Sequence, residues 1–232
     1  MTGNYQQSTE NHQPKIKVCG LKKLDQIQEF ISMNTDFLGF IFYEKSPRYV
    51  LNHLTVEEIS EINHSEKVGV FVNENLDRII EIAEKADLNL VQLHGDENEE
   101  FISDLRKKLN KKTEIIKVIR VGNQSSDELQ ETINSQPSTI NYLLFDTDSK
   151  AYGGTGETFD WNIINEIEIP IPYFLSGGIS LENIENIELL NQKPFAFDIN
   201  SKFEIEPGNK DVEKIKKLYK LLKVPKGRPN KG

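Results

Sequence analysis

Eight short apolar runs, rich in β-branched and aromatic residues, recur along the chain at regular intervals. They span residues 16–19, 37–42, 68–72, 90–93, 115–119, 142–145, 173–175 and 195–199. Their first residues lie 21 to 31 positions apart, which leaves room for one strand, one helix and two loops in every interval. Because the runs are apolar almost throughout, we expect parallel strands that are covered on both faces.

The segments between the runs carry apolar residues three and four positions apart, which is the spacing of one helix face. They predict eight helices, over residues 25–33, 56–62, 76–86, 98–109, 127–133, 161–167, 182–190 and 212–222. Eight strand-helix units are the number that closes a barrel, whereas a doubly wound sheet usually stops at about five or six strands. The sequence therefore predicts an α/β fold with a single (β/α)8 TIM barrel over residues 15–223. We expect a polar tail over residues 1–14 and a basic tail over residues 224–232.

The excess of acidic over basic residues argues against some classes of binding partner. The 232 residues include 28 Lys and Arg against 37 Asp and Glu, which gives a formal net charge of -9. Nucleic acid and anionic membranes are bound through basic surfaces, so neither is an expected partner, and a small-molecule substrate is. The polar N-terminal segment lacks the order of a signal peptide, and we expect a cytoplasmic protein. Monomer and homodimer both remain open.

The cysteine and histidine content argues against a metal centre. Cys19 is the one cysteine, which excludes an internal disulfide and a thiolate metal cluster. The four histidines, His12, His53, His64 and His94, are scattered without the spacing of metal ligands. No metal site is therefore predicted.

Two reactive side chains fall at strand ends, where barrels of this type bind their ligands. Cys19 ends the first run and Asp146 follows the sixth, so a closed circle of eight strands places them nearly opposite each other. A thiol near its ordinary pKa of ~8.5 is mostly protonated at neutral pH, so work as a base would need a lower pKa for Cys19, which nearby cations or helix N-termini are able to provide. The alternatives are a cysteine buried as a small apolar residue and an aspartate that caps a turn.

A candidate phosphate site lies after the last two runs. Ser176-Gly177-Gly178 ends the seventh run and opens a predicted helix, where glycine allows backbone N–H groups to approach an anion. Asn200, Ser201 and Lys202 follow the eighth run and are expected to complete the site, because these two loops form the recurrent phosphate site of such barrels. A helix cap or a simple turn is the alternative.

Three further motifs lie near predicted strand ends. Arg48 follows a stiff proline turn, which suits a bidentate grip on a carboxylate, with a surface ion pair as the alternative. For His94–Glu97 we favour a helix start with acidic side chains near the positive helix end over an acid/base role for the histidine. Gly154 lies in the Gly153–Gly156 segment, which suits either a closing lid or a solvated loop.

Taken together and in order, these residues resemble the phosphoribosylanthranilate isomerase family over residues 15–222. The matching segments are Lys17-Val18-Cys19-Gly20-Leu21, residues 38–42 and 45–50, Val68-Gly69-Val70-Phe71-Val72-Asn73, Val91-Gln92-Leu93-His94-Gly95-Asp96-Glu97, Gly153-Gly154-Thr155-Gly156 with Phe159-Asp160-Trp161, and Ser176-Gly177-Gly178. The resemblance implies a (β/α)8 barrel that needs neither metal nor organic cofactor. It also implies an Amadori rearrangement in tryptophan biosynthesis, which converts N-(5-phosphoribosyl)anthranilate into 1-(2-carboxyphenylamino)-1-deoxyribulose 5-phosphate.

The resemblance also implies a role for each candidate residue. Asp146 would act as general acid on the furanose ring oxygen, and Cys19 would act as general base on the C2 proton. Arg48 would hold the anthranilate carboxylate, and Asp198 would lie near the sugar hydroxyls or the amino group. The implied remaining contacts are Gly154 for the substrate and Gly177, Gly178, Asn200, Ser201 and Lys202 for the phosphate.

Two departures from the family pattern define the main alternative. Lys202 replaces a glycine, which costs stability if that position needs a positive φ, although its ammonium is able to add a phosphate contact. Glu157 adds negative charge beside the lid glycines. A catalytically degenerate phosphate-binding barrel is therefore the alternative, and the presence of both Cys19 and Asp146 argues against it. A barrel synthase that relies on a lysine general acid is less favoured, because no strand-end lysine is well placed.

Overall fold

A computed structural model describes residues 14–148 and 158–223, and the apolar runs form the eight parallel strands of a closed barrel. The strands are β1 Lys15–Val18, β2 Phe37–Ile41, β3 Lys67–Phe71, β4 Leu90–Leu93, β5 Glu114–Val121, β6 Tyr142–Thr147, β7 Tyr173–Leu175 and β8 Ala196–Ile199. Each pairs with the next in chain order, and β8 closes the circle against β1, where Lys17 faces Asp198. The predicted α/β barrel is confirmed.

Six of the eight predicted helices are α-helical. They are α1 Leu24–Ser32, α2 Val56–Ser60, α3 Leu76–Lys85, α4 Glu99–Lys108, α5 Ser126–Asn134 and α6 Val212–Lys223. Local side chains begin several of them: Thr55 and Ser125 each form a capping box, with Glu58 and Glu128 as the respective partners.

The two segments that follow β6 and β7 are 3₁₀ helices, so the prediction of α-helices there is wrong. These segments, Trp161–Glu166 and Ile184–Leu189, are only six residues long and rich in isoleucine and asparagine. Such residues have modest helix propensity, and short pieces are where the tighter 3₁₀ geometry is found. Two further 3₁₀ turns, Val50–Asn52 and Ser201–Phe203, lie in the loops after β2 and β8.

Alternation along the strands divides the apolar side chains into two layers. One layer fills the barrel interior and consists of Phe37, Val68, Leu90, Ile116, Val118, Leu144, Phe174 and Ala196. The other and larger layer packs between the strands and the surrounding helices. Above the interior layer, Cys19 packs with Ile41 and Val70, so the thiol lies inside the barrel and not in the helical layer.

A short antiparallel hairpin, which the sequence patterns did not predict, separates β8 from α6. It consists of β9 Glu204–Glu206 and β10 Asn209–Lys210. The predicted tails, 1–14 and 224–232, lie outside the described residues apart from Pro14. Within the described ranges, no helix combines the length and apolar character needed to cross a bilayer.

Candidate active site

Cys19 and Asp146 both face the interior at the mouth of the barrel. Cys19 immediately follows β1, and Asp146 lies near the end of β6, three strand positions away around the closed circle. Both are nearly enclosed, with 4% and 8% of their surfaces exposed. Gly39 on the neighbouring strand makes room for the thiol, because a Cβ atom there would lie 3.0 Å from Cys19 Sγ. The predicted arrangement across one barrel mouth is therefore present.

The Asp146 carboxylate is held from two directions. Its Oδ1 accepts the backbone N–H of Thr147 at 3.0 Å, and its Oδ2 lies 3.1 Å from His94 Nε2. The preference for a helix start at His94 is wrong, because α4 begins at Glu99 and Asn98 caps it. His94 instead ends β4 inside the barrel, where it contacts the candidate acid directly.

A buried polar cluster lies beside the two reactive side chains. Lys17 Nζ donates to Asp198 Oδ2 and to Gln92 Oε1, each at 2.8 Å. The Lys17 side chain is fully buried and that of Asp198 is 6% exposed. Among the residues that the structure describes, Asp198 Oδ1 has no hydrogen-bond partner. This cluster therefore presents one unpaired buried carboxylate oxygen.

Burial and the neighbouring charges together shift the pKa values of these groups. Burial raises the pKa of the Cys19 thiol above its ordinary value, although Lys17 and Lys210 oppose the effect. The nearby cations therefore do not bring the pKa of the thiol below its ordinary value. Burial also raises the pKa of Asp198 against the attraction of Lys17. For Lys17, burial alone would lower the pKa, but Asp198 and Cys19 outweigh it and raise that pKa.

Arg48 is fixed by an ion pair inside the mouth. Its Nε donates to Glu204 Oε1 and Oε2 at 3.0 and 2.9 Å, and its Nη2 donates to Oε2 at 2.7 Å. Both side chains are less than 10% exposed, so the ion pair that was the alternative is present, but it is buried and not at the surface. Glu204 occupies the side edge of the guanidinium. In the part of the chain that the structure describes, no hydrogen bond occupies the end edge, formed by Nη1 and the outer N–H of Nη2, which has the geometry to receive a second carboxylate.

Lys210 completes this second cluster. Its Nζ donates to Glu204 Oε1 at 2.7 Å and to Asn200 Oδ1 at 2.8 Å. Burial would raise the pKa of Glu204, but Arg48 and Lys210 outweigh it and lower that pKa below its ordinary value. The hairpin thus brings a carboxylate and an ammonium to the mouth and holds Arg48 in one orientation.

The loop after β7 has the backbone form that its glycines predict. Gly177 and Gly178 have φ values of +79° and +69°, in the left-handed region. A Cβ atom on Gly177 would collide with Thr147 Oγ1 and lie 2.9 Å from Thr147 N. Asn183 fastens the loop, since its Nδ2 donates to Gly178 O at 3.0 Å. The expected helix start directly after the glycines is wrong, because the 3₁₀ helix begins only at Ile184.

The loop after β8 lies beside it. Asn200 precedes the Ser201–Phe203 turn, and its side-chain oxygen is occupied by Lys210. Lys202 is exposed and is not among the described residues with positive φ, so its replacement of a glycine causes no backbone strain there. The hydrogen bond with Ser180 is the main cause that lowers the pKa of Glu182, and the charges of Lys214 and Lys202 add to the lowering.

Other parts of the predicted site lie beyond what the structure describes. Gly154, the whole Gly153–Gly156 segment and Glu157 are outside the described residues. Among residues 14–148 and 158–223, no group of His, Cys, Asp and Glu side chains is arranged to hold a metal ion.

Four residues that organise the site received no role from the sequence patterns, and His94 received the wrong one. The four are Lys17, Gln92, Glu204 and Lys210. Lys17 carried a usable signal, since it is a charged residue inside an apolar run, two positions before Cys19 and therefore on the same strand face. Glu204 and Lys210 carried none, because their contacts depend on a hairpin without a recognisable repeat.

Comparison with known proteins assigns the family. A model of the N-(5'-phosphoribosyl)anthranilate (PRA) isomerase family matches residues 16–221. The N-(5'-phosphoribosyl)anthranilate isomerase of Parabacteroides distasonis is 37% identical over 213 residues, which cover 90% of this chain and 94% of the relative. The crystal structure of phosphoribosyl anthranilate isomerase from Thermotoga maritima is 32% identical, with a TM-score of 0.73 over 90% of this chain and 98% of that one.

A second solved structure contains a ligand. It is a phosphoribosyl anthranilate isomerase in complex with reduced 1-(o-carboxyphenylamino)-1-deoxyribulose 5-phosphate, 30% identical, with a TM-score of 0.71 over 90% of this chain and 98% of that one. The match extends over the whole barrel, including the strand ends that carry Cys19 and Asp146. The chain therefore belongs to the phosphoribosylanthranilate isomerase family.

Proposed function

We propose that the chain catalyses the Amadori rearrangement of N-(5-phosphoribosyl)anthranilate to 1-(2-carboxyphenylamino)-1-deoxyribulose 5-phosphate, as an isomerase of tryptophan biosynthesis. The observation that carries the proposal is the placement of Cys19 and Asp146 inside one barrel mouth, on strands three positions apart. Ring opening needs a proton delivered to one substrate atom, and enolisation needs a proton removed from another. Two separated groups meet both needs.

Asp146 is the proposed general acid. It gives its proton to the furanose ring oxygen, the C1–O bond breaks, and the nitrogen lone pair forms a Schiff base at C1. The contacts from His94 and the Thr147 amide fix the carboxyl group in one orientation during this transfer. A fixed donor lowers the barrier because the acid need not be brought into place at the moment of reaction.

Cys19 is the proposed general base. Its thiolate removes the proton from C2, and the electron pair moves through C1 to the nitrogen, which gives an enol that tautomerises to the ketone. One proton enters from Asp146 and one leaves to Cys19, so the isomerisation leaves the total number of protons unchanged. The neighbouring Asp198 Oδ1 is suited to accept a hydrogen bond from a sugar hydroxyl or from the amino group.

The two anionic groups of the substrate, a carboxylate and a phosphate, are each assigned a binding site at the mouth. The open end edge of Arg48 suits the anthranilate carboxylate, with Glu204 holding the guanidinium in place. The left-handed turn at Gly177 and Gly178, together with Asn200, Ser201 and Lys202, is the proposed phosphate site. Gly154 remains a proposed substrate contact from the sequence resemblance.

The direct test is turnover of freshly prepared phosphoribosylanthranilate, whose fluorescence disappears on conversion. We expect turnover by the full chain, and loss of most activity in Cys19→Ala and in Asp146→Asn with the fold retained by circular dichroism. Both variants should still bind the reduced product analogue that the related isomerase holds. Full activity in Cys19→Ala would reject the assigned base. Binding without turnover by the wild-type chain would favour the degenerate barrel instead.

A cytoplasmic location and a monomer or homodimer stay predictions from the sequence. Analytical ultracentrifugation of the full chain distinguishes the two oligomeric states, and cell fractionation tests the location.

A further inference from the structure

Lys17, Cys19 and Asp198 form one buried cluster. Cys19 is the proposed base, whereas Lys17 has no role in the steps described above. Lys17 lies in β1, and Cys19 follows two positions later, directly after the strand. Side chains two positions apart point to the same face, so both face the barrel interior. Asp198 lies opposite Lys17 across the closure of the barrel. The ammonium of Lys17 has three N–H donors, and Asp198 and Gln92 occupy two of them at 2.8 Å. The Cys19 thiol lies close enough to interact electrostatically with the ammonium, and this attraction contributes to raising the pKa of Lys17.

The charge of this cluster depends on where one proton resides. With the thiol protonated, the Lys17 ammonium and the Asp198 carboxylate balance each other. Ionising the thiol as well would leave a net negative charge in a buried site, which costs free energy because water no longer solvates it. If the carboxylate holds a proton while the thiol is ionised, the cluster stays neutral.

The other charged groups nearby already have partners. Lys210 also faces Cys19, but it is paired with Glu204 at 2.7 Å. Asp146 and His94 face Asp198 and contact each other at 3.1 Å. The unpaired Oδ1 of Asp198 has no hydrogen-bond partner among the described residues and is therefore suited to carry a proton.

We propose that Cys19 and Asp198 share a single negative charge opposite the Lys17 ammonium, so that the thiolate forms as the proton is held by Asp198. In this exchange the S–H bond of Cys19 breaks, an O–H bond forms on Asp198, and Lys17 stays protonated throughout. The inference rests on the proposed role of Cys19 as base. It makes Lys17 a positioning residue that allows the base to form without a change in the net charge of the site.

The test is the titration of the thiol in the full chain. Because Cys19 is the one cysteine, the ultraviolet absorbance of its thiolate is obtained by subtracting the same titration of Cys19→Ser. In Asp198→Asn the ammonium has only the thiolate as its counter-charge, so the midpoint should fall by about one pH unit or more. In Lys17→Met the midpoint should rise by about one unit or more, because the opposite charge is gone.

Lys67→Met is the matched control, since Lys67 is a second buried lysine whose ammonium bonds the carbonyls of Ile59 and Ser60 outside the barrel. Its thiol midpoint should equal that of the wild-type chain. An unchanged or higher midpoint in Asp198→Asn would overturn the proposal. That variant decides the matter even if Lys17→Met fails to fold, because the amide keeps the size of the carboxylate. The titration needs no turnover, so a failure of the isomerase assay is a separate result.

Discussion

Arg48 and Glu204 form a buried ion pair although 156 positions separate them in the chain. The carboxylate takes the side edge of the guanidinium, and Lys210 holds the same carboxylate from the other side. An arginine on a surface loop would sample many rotamers before it met a ligand. Here its orientation is set in advance, so the proposed contact with a substrate carboxylate would use the end edge.

This arrangement predicts that Glu204 contributes to stability and that the contribution depends on pH. Replacing Glu204 with Ala leaves two buried cations without their counter-charge and should cost roughly 3 kcal/mol of unfolding free energy at neutral pH. Glu206→Ala, two residues away on the exposed side of the hairpin, is the control and should cost far less. Urea unfolding followed by circular dichroism measures both.

The sign of the pH dependence follows from the pKa of Glu204, which is lower in the folded chain than its ordinary value of 4.5. Its stabilisation is fully present above that value and is lost as the pH falls through the lower folded value. The difference between wild-type and Glu204→Gln stability should therefore shrink as the pH falls below about 4.5. A difference that stays constant down to the acid transition would contradict the assigned ion pair.

His94 predicts an effect on catalysis without a matching effect on binding. In His94→Leu, Asp146 Oδ2 loses the imidazole that fixes it, and a hydrogen bond to a charged group is worth about 1.5–3 kcal/mol. We expect kcat to fall roughly 10- to 100-fold with a much smaller change in KM. His94→Gln keeps a side-chain N–H and should recover part of the loss. Equal activity in the two variants would show that the contact with Asp146 has no catalytic role.

For Lys202 we predict an effect on substrate binding, measured as KM. Its side chain is exposed and its backbone is unstrained, so Lys202→Gly should leave the melting temperature nearly unchanged. KM should rise several-fold, because a charge-assisted contact to phosphate is removed, and the rise should diminish at high salt. Lys107→Gly, on the exposed face of α4, is a control for the loss of one positive charge and should not change KM. An unchanged KM in Lys202→Gly would remove this lysine from the phosphate site.

The barrel and the places of Cys19 and Asp146 followed from local pattern. Strand spacing sets how many parallel strands there are, and the ends of the runs mark the mouth, because every strand of a parallel barrel ends at the same rim. The two 3₁₀ segments show the limit of this reasoning. Apolar spacing of three and four positions suits both helix types and therefore does not distinguish them.

The partners of the site residues were decided by the tertiary structure. Lys17 bonds Gln92 and Asp198, which lie 75 and 181 positions away in the chain. Arg48 bonds the carboxylate of Glu204, which belongs to a hairpin that no sequence periodicity predicted. The sequence by itself determined which side chains stand at the strand ends and face inward. Closure of the barrel decided which of them touch, and burial then raised the thiol pKa, an effect that the residues alone did not predict. The physical reason is that strand alternation is local, whereas pairing and desolvation depend on every strand that surrounds the site.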